Sequence, residues 1–252
     1  MNAIAVIPAR FGSSRLPGKA LADIAGVPMI VRVWQQTRKA RLLKRVLVAT
    51  DDERIESAVR DAGGEVEITA GTHPSGTDRI AEVARRVAAE IYVNVQGDQP
   101  FIAPEDIDAV VSGMNAELSI SMATLGARIA DLEEWHNPNK VKIVCDKQGN
   151  ALYFSRSPIP FLRDRGGVPG SALRHVAVYG YRRDFLLTFT GLSPGELEQA
   201  EKLEQLRAME HGYRIRVIGS KAPSLEVDTA EDLALANLHA AKRRQSGRER
   251  EL

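Results

Sequence analysis

Three cations gather in one loop near the start of the chain, directly after an apolar run. Arg10, Arg15 and Lys19 lie in the loop 8–19, which follows the predicted strand 3–7 and is otherwise rich in small residues. Small residues let backbone N–H groups approach phosphate oxygens, and the cations supply positive charge. The spacing of the loop is not that of a Walker A motif. The loop therefore predicts a phosphate-binding site, with a solvated basic loop as the alternative.

Two aspartates directly follow predicted strands. Asp98 comes after the predicted strand 91–95, and Asp228 comes after the short predicted strand 225–227. Carboxylate oxygens suit Mg²⁺, which takes one or two carboxylates together with phosphate oxygens and water. As alternatives, Asp98 is a turn residue and Asp228 caps the helix that starts at Thr229.

Four residues lie around the start of the predicted helix 77–89: Ser75, Gly76, Thr77 and Arg79. The first turn of a helix has N–H groups that can bind a phosphate or the polar edge of a base. The alternative is an ordinary helix cap followed by a surface arginine.

Three polar residues share one face of the predicted helix 199–211. Glu201, Glu204 and Gln205 are spaced i, i+3 and i+4, which brings their side chains together on a helix. The face could bind a polar ligand, and a solvated charged face is the alternative. His175 lies on an apolar predicted strand, where a packed histidine is more common than a ligand.

The elements that position these residues follow an alternating pattern. Short apolar runs alternate with amphipathic helical patterns, which predicts the α/β class: a mostly parallel twisted sheet with helices on both faces, similar to the Rossmann arrangement. The loops that follow the strands then meet at one edge, where such folds bind ligands. The pattern changes over 118–185, which predicts a mixed β insertion. We predict a single domain over 1–241, with a first half at about 1–117, and a charged, disordered tail at 242–252.

Composition narrows the classes of function. The 252 residues contain 34 Lys and Arg against 33 Asp and Glu, a net charge of +1, which gives no support to nucleic acid or an anionic membrane as the main partner. One cysteine excludes an internal disulfide and CxxC motifs. No metal-ligand spacing is found for His73, His136, His211, His239 or Cys145. With no signal-peptide pattern and no apolar run of about 18 residues, we expect a soluble cytoplasmic protein.

Eight motifs occur in a specific order along the chain. They are Pro8-Ala9-Arg10 with the following Ser-x-Arg-Leu-Pro-Gly-Lys, Ala49-Thr50-Asp51, Ser75-Gly76-Thr77-Asp78-Arg79, Asn94-Val95-Gln96-Gly97-Asp98-Gln99-Pro100, Tyr153-Phe154-Ser155-Arg156, Arg174-His175 with Tyr179-Gly180-Tyr181, Glu201-Lys202-Leu203-Glu204-Gln205-Leu206-Arg207, and Val227-Asp228-Thr229. In this order they resemble the 3-deoxy-manno-octulosonate cytidylyltransferase (CMP-Kdo synthetase) family, as far as about residue 240.

The resemblance implies an activity and a set of site residues. It implies an Mg²⁺-dependent transfer of CMP from CTP to Kdo, with pyrophosphate released and the product used in lipopolysaccharide synthesis. The first half then binds CTP, and the insertion at 118–185 binds the sugar and forms a homodimer. The implied nucleotide-binding residues are Pro8, Ala9, Arg10, Ser13, Arg15, Lys19, Ser75, Gly76, Thr77, Arg79 and Gln96. The implied sugar-binding residues are Arg156, His175, Tyr179, Glu201, Glu204 and Gln205. The implied catalytic residues are Lys19, Arg10, Asp98 and Asp228, the last two also binding the metal.

Two other functions stay open at this point. Residues 157–173 resemble the family only loosely, so the sugar acid could instead be 8-amino-Kdo or a nonulosonic acid. The chain could also be a non-catalytic module that binds a nucleotide without turnover.

Overall fold

The computed structural model describes residues 2–13, 16–163, 166–221 and 225–248. The chain forms two compact units, which we call the N-terminal unit and the central unit. The N-terminal unit comprises Ile4–Ala88, Asn94–Pro104 and Ser224–Leu252. The central unit comprises Met1–Ala3, Ala89–Val93 and Glu105–Pro223. These divisions differ from the predicted ones at about 117 and 185, and the single domain over 1–241 stays a prediction.

Strands and helices alternate along most of the chain. The strands are β1 (Ala3–Pro8), β2 (Asp23–Ile24), β3 (Val27–Pro28), β4 (Leu43–Thr50), β5 (Glu65–Ile68), β6 (Ile91–Val95), β7 (Met122–Arg128), β8 (Lys142–Cys145), β9 (Ala151–Ser155), β10 (Leu173–Arg182) and β11 (Ile215–Gly219). The helices are α1 (Met29–Thr37), α2 (Glu53–Asp61), α3 (Gly76–Arg86), α4 (Pro104–Ala116), α5 (Leu132–His136), α6 (Arg183–Phe189), α7 (Glu196–Glu201), α8 (Leu206–Glu210) and α9 (Ala230–Arg248).

In the N-terminal unit, strands β1, β4 and β5 lie side by side, and β4 pairs with β5 in parallel. The helix α1 buries the face that its 3.6-residue periodicity predicts, including Ile30, Val33 and Trp34. Asp52 caps α2 by accepting hydrogen bonds from the backbone N–H groups of Arg54 and Ile55. The predicted α/β class is confirmed.

The central unit contains both parallel and antiparallel strands. Strand β7 pairs in parallel with β11 and antiparallel with β10, which carries a bulge between Val176 and Tyr179. Strand β8 pairs antiparallel with β9 and with β10. This unit therefore holds the mixed β structure that the pattern over 118–185 predicts.

The predicted strand 225–227 and the predicted disordered tail differ from the structure. Residues 225–227 form no strand. Val227 N donates to the carbonyl of Asp98 at 2.9 Å, which ties this segment to a loop and not to a strand of the sheet. The predicted disorder from 242 is wrong as far as 248, because α9 continues to Arg248. Alanine, lysine, arginine and glutamine favour helix, so the charged pattern does not end it. Among the helices of the described residues, none is long and apolar enough to span a membrane.

Candidate active site

A cavity of about 310 Å³ opens in the N-terminal unit, a volume typical of small-molecule sites. The predicted nucleotide-binding residues that line it are Pro8, Ala9, Arg10, Ser13, Lys19, Ser75, Gly76, Arg79 and Gln96. Asp98 and Asp228 line the same cavity. Thr77 is buried and does not line it, and the predicted contact by Arg15 lies outside the described residues.

Lys19 lies between the two predicted metal ligands. Its ammonium Nζ donates to Oδ2 of Asp98 at 2.8 Å and to Oδ1 of Asp228 at 2.9 Å. Burial alone would lower the pKa of Lys19, but the two carboxylates outweigh burial and raise that pKa above its ordinary value. Lys19 is therefore positively charged, and the two carboxylates converge on one cation.

Two glycines allow the backbone to bring these groups together. The backbone at Gly18 is left-handed, with φ of 66°, and a 3₁₀ turn over Lys19–Leu21 follows it. Glycine adopts this conformation without the steric cost of a side chain. A Cβ atom at Gly97 would lie 3.2 Å from the carbonyl oxygen of Pro8. Without that atom, the loop that carries Asp98 lies close to the end of β1.

The start of α9 keeps the carboxylate of Asp228 available. Thr229 Oγ1 accepts from the N–H of Asp232 at 3.2 Å, and the Asp232 carboxylate accepts from the N–H groups of Thr229 and Asp228, each at 3.0 Å. This is the reciprocal arrangement of a capping box. Helix capping therefore uses Thr229 and Asp232, while the Asp228 carboxylate contacts Lys19.

The carboxylates of Asp98 and Asp228 fit the magnesium ion that the resemblance implies. They already converge on one cation, the ammonium of Lys19, and their side chains are 26% and 32% exposed, so neither is closed off from solvent. No cluster of three or more His, Cys, Asp or Glu side chains suited to a metal occurs in the described part of the chain. A pair of carboxylates is nevertheless the usual protein contribution to Mg²⁺ when the remaining ligands are phosphate oxygens and water.

The segment at the start of α3 combines a cap with a buried ion pair. Ser75 is the N-cap, accepting from the N–H of Asp78 at 3.2 Å. Arg79 is not a surface residue: its guanidinium donates to Oδ1 of Asp51 at 2.7 Å and to Thr69. Its position in the cavity wall is therefore fixed before any ligand binds. Arg10, by contrast, is exposed at the cavity.

The predicted sugar-binding residues lie in the central unit, where two of them bind each other. The Glu201 carboxylate accepts from Ser155 Oγ at 2.5 Å and from the N–H of Arg156 at 2.9 Å. The Arg156 guanidinium donates to the carbonyls of Glu201 at 2.7 Å and Pro138 at 3.0 Å. Both side chains thus fix the loop after β9 to the end of α7.

The predicted helix 199–211 is wrong, because it is divided into α7 and α8. Lys202 has a left-handed backbone, with φ of 54°, and ends α7. The carbonyls of Glu201 and Lys202 accept from Arg156 at 2.7 and 3.5 Å, which replaces the helical bonds that they would otherwise accept. Glu204 and Gln205 consequently lie in the turn between the two helices and do not share a helical face with Glu201.

Gln205 in this turn is buried and incompletely bonded. Its side chain is 4% exposed. Nε2 has no hydrogen-bond partner within the described ranges 2–13, 16–163, 166–221 and 225–248. A buried donor without a partner costs about 1–3 kcal/mol, so this amide is suited to a ligand that supplies an acceptor.

His175 is a neutral, packed histidine that keeps one polar atom. Its Nε2 lies 3.0 Å from Oγ1 of Thr124, whose single hydroxyl hydrogen is donated to the carbonyl of Val178 at 2.9 Å. The tautomer with its hydrogen on Nε2 lets His175 donate to Thr124 Oγ1 and leaves Nδ1 as an acceptor. Its ring lies 5.4 Å from that of Phe154 and 5.3 Å from that of Tyr179, between centroids. Burial, with a smaller effect of Arg174, lowers the pKa of His175 to about 3.

The low pKa of His175 predicts a loss of stability in acid. Between pH 6.5 and 3 the unfolded chain binds a proton at this histidine and the folded chain does not, so the free energy of unfolding falls as the pH is lowered, by about 1 kcal/mol per pH unit. Urea unfolding of His175→Gln at pH 7, 6 and 5 should show a correspondingly shallower pH dependence. His136→Gln, at an exposed histidine, is the control. Equal slopes for wild type and His175→Gln would contradict the prediction.

Two residues near these sites have no predicted role. His73 lines the cavity, and its Nε2 lies 2.5 Å from Oε2 of Glu82. Its place two residues before Ser75 is the signal that points to the cavity. Lys142 is fully buried on β8 and donates to the backbone carbonyls of Asn137 and Lys140 at 2.8 and 2.6 Å. Nothing in its spacing indicates this, because a lysine on a short apolar strand normally reaches solvent.

Comparisons with known proteins agree with one another. The family model described as cytidylyltransferase matches residues 4–215. The chain is 52% identical over 242 residues to the 3-deoxy-manno-octulosonate cytidylyltransferase of Geobacter metallireducens, covering 92% of this chain and 95% of the relative. It is 53% identical over 242 residues to the 3-deoxy-manno-octulosonate cytidylyltransferase of Geobacter sulfurreducens, covering 92% of this chain and 97% of the relative. A solved structure of CMP:2-keto-3-deoxy-manno-octonic acid synthetase complexed with CTP is 43% identical, with a TM-score of 0.91, and covers 96% of this chain and 100% of that chain.

Proposed function

The chain belongs to the 3-deoxy-manno-octulosonate cytidylyltransferase family, and we propose that it joins CTP and Kdo to give CMP-Kdo and pyrophosphate. The observation that carries the proposal is the cavity in which Lys19, Asp98 and Asp228 converge. A nucleotidyl transfer needs positive charge around a triphosphate and a carboxylate pair for a divalent ion, and this cavity has both.

The residues of the N-terminal unit bind and orient CTP. Arg10 and Lys19 supply positive charge to the triphosphate, which stabilises the charge that develops on the leaving pyrophosphate. Ser75 and Arg79, with Gln96, surround the base. Because Asp51 and Thr69 hold Arg79, this part of the cavity is already ordered when the nucleotide arrives, which lowers the entropic cost of binding.

Asp98 and Asp228 are the residues that would hold Mg²⁺. The ion, when bound, supplies positive charge to the phosphates and lowers the pKa of the sugar hydroxyl. That hydroxyl, on C2 of Kdo, gives its proton to solvent water, and its oxygen forms the new bond to the α-phosphorus. The bond from the α-phosphorus to the β-phosphate bridge oxygen breaks, and pyrophosphate leaves with that oxygen. No side chain of the cavity is assigned as a general base.

The central unit supplies the sugar contacts. Gln205 Nε2 can donate to a sugar oxygen, and Nδ1 of His175 can accept from a sugar hydroxyl. Arg156 and Glu201 act through their contacts with each other, which fix the turn that carries Glu204 and Gln205. Tyr179 packs against the His175 ring and keeps it in place.

We also propose that the protein is a homodimer through residues 118–185 and works in the cytoplasm, supplying lipopolysaccharide synthesis. Large apolar side chains in this segment are exposed, including Leu118, Leu152 and Phe161, the last 85% exposed. Contact with a second chain would remove such apolar side chains from water, which is favourable. A solution mass of one chain, measured by light scattering, would contradict the dimer.

The substrate is tested by pyrophosphate release from CTP and Mg²⁺ with a panel of sugar acids. We expect release with Kdo at a rate that exceeds those with 8-amino-Kdo and N-acetylneuraminate, and none with CTP alone. Release with N-acetylneuraminate but not with Kdo would show that Kdo is the wrong substrate, while the proposed transfer of CMP to a sugar acid would still hold. No release with any sugar acid would indicate the non-catalytic module instead.

A further inference from the structure

Lys19 contacts the same two carboxylates that would bind the metal. Its ammonium lies 2.8 Å from an oxygen of Asp98 and 2.9 Å from an oxygen of Asp228. The Lys19 side chain is 18% exposed, so little water screens these contacts. Two carboxylates with one ammonium carry a net charge of −1, whereas the carboxylates alone carry −2.

A divalent ion bound to Oδ2 of Asp98 and Oδ1 of Asp228 would lie close to the Lys19 ammonium, which contacts the same two atoms. Like charges in direct proximity repel strongly where solvent is partly excluded. The Lys19 ammonium therefore competes with a metal ion for Asp98 and Asp228 and weakens the binding of that ion. Among the described residues that line the cavity, Asp98 and Asp228 are the only anions, and Arg10 and Arg79 are cations. In the nucleotide-free protein this part of the wall therefore offers no other anion to Lys19.

A bound triphosphate competes with Asp98 and Asp228 for the Lys19 ammonium. It brings several negative charges into the cavity that Lys19 lines, and a lysine on a flexible four-carbon chain can move its charge to them. Movement of the ammonium to the phosphates exposes the two carboxylates to a cation, while the phosphates add further oxygen ligands.

We propose that Lys19 is an exchangeable internal cation, which blocks the metal-binding carboxylates until a nucleoside triphosphate draws it away. Divalent metal and CTP then bind with positive cooperativity, and the coupling is reciprocal because it is a free energy shared by the two ligands. The inference rests on the proposed function of Asp98 and Asp228 as metal ligands, and it adds the order in which the site is filled.

The experiment measures the Mn²⁺ affinity of the nucleotide-free protein from the free-ion signal in electron paramagnetic resonance. We expect Lys19→Met to bind Mn²⁺ roughly tenfold more tightly than wild type, because it removes the competing charge. Lys19→Arg keeps the charge and should bind Mn²⁺ as weakly as wild type. Lys44→Met, at an exposed lysine outside the cavity, is the matched control and should have no effect.

A second measurement uses thermal stability without nucleotide. Lys19→Met leaves two carboxylates facing each other, so its melting temperature should be below that of wild type and should rise more on adding Mn²⁺. Unchanged Mn²⁺ affinity in folded Lys19→Met would overturn the inference. The double variant Lys19→Met with Asp98→Asn should bind Mn²⁺ more weakly than Lys19→Met alone. Equal Mn²⁺ affinity of these two variants would also overturn the inference, because the tighter binding would then not depend on Asp98. Wild type and Asp98→Asn are compared with CTP and Mn²⁺ present: equal Mn²⁺ binding there would count against the proposed metal ligand itself.

Discussion

Replacement of Asp98 by asparagine is expected to reduce kcat by a factor on the order of a thousand or more. This loss is comparable to, or larger than, the loss caused by removing one hydrogen-bond donor that stabilises a transition state. The asparagine keeps the shape of the side chain and one oxygen but loses the charge that contacts Lys19 at 2.8 Å. In this variant the Lys19 ammonium keeps its contact with Asp228 at 2.9 Å, so the ammonium retains a carboxylate partner. The melting temperature should therefore change little, and steady-state pyrophosphate release is the measurement.

Three controls separate a chemical role from a structural one. Asp61→Asn makes the same change at an exposed aspartate at the end of α2 and should keep wild-type activity. Asp228→Asn should lose activity as Asp98→Asn does, since Thr229 and Asp232 already cap α9. Removal of divalent ions by EDTA should stop wild-type turnover reversibly. Retention of full activity in Asp98→Asn, or in wild type without divalent metal, would contradict the proposed site.

Local sequence predicts the nucleotide cavity well because its parts are short loops at the ends of strands. The loop 8–19 is recognisable from its cations and small residues alone, and Asp98 is recognisable from its place after an apolar run. In an α/β fold these loops meet at one edge of the sheet because of the topology. The fold class alone therefore predicts that residues distant in sequence lie close together there. Lys19 and Asp98 are 79 positions apart and in direct contact.

The charge balance inside the cavity was not predictable in the same way. The local sequence pattern predicts that Lys19 contacts phosphate and that Asp98 binds metal, but it does not predict that these two side chains contact each other. Arg79 fits a surface arginine by its local pattern, yet it is buried because Asp51 compensates its charge and Thr69 accepts a further hydrogen bond. Such pairings depend on the packing of β4 with α3, which local patterns do not contain.

The sugar-binding turn shows where helical periodicity fails. Residues 199–211 have a helical pattern, but the helix ends at Lys202, where its carbonyls are bound by Arg156. A contact from a residue 46 positions away outweighs the local propensity, which is worth under about 1 kcal/mol per residue. Gln205 is thereby placed in a buried turn rather than on an exposed helical face.

Replacement of Gln205 by leucine is expected to lower kcat/KM for Kdo by about ten- to a hundredfold, with CTP affinity unchanged. The amide is buried, and its Nε2 has no acceptor among the described residues. Leucine has a similar volume and no donor, so the change removes no hydrogen bond that Nε2 makes to a described residue. The melting temperature should therefore stay the same or rise. Steady-state kinetics for Kdo, calorimetric titration of CTP and thermal unfolding are the three measurements.

Gln205→Leu is expected to lower activity with Kdo while the melting temperature stays the same or rises. This combination distinguishes a residue that binds the sugar from one that supports the fold. A residue that only supports the fold would lose stability together with activity, and it would affect both substrates. A residue that binds the sugar loses activity while stability is kept, because the missing partner of Nε2 is supplied by the ligand and not by the protein. Gln199→Leu, at an exposed glutamine on α7, should change neither. Destabilisation of Gln205→Leu, with equal losses for Kdo and CTP, would mean that the turn between α7 and α8 supports the fold and that the sugar is bound elsewhere.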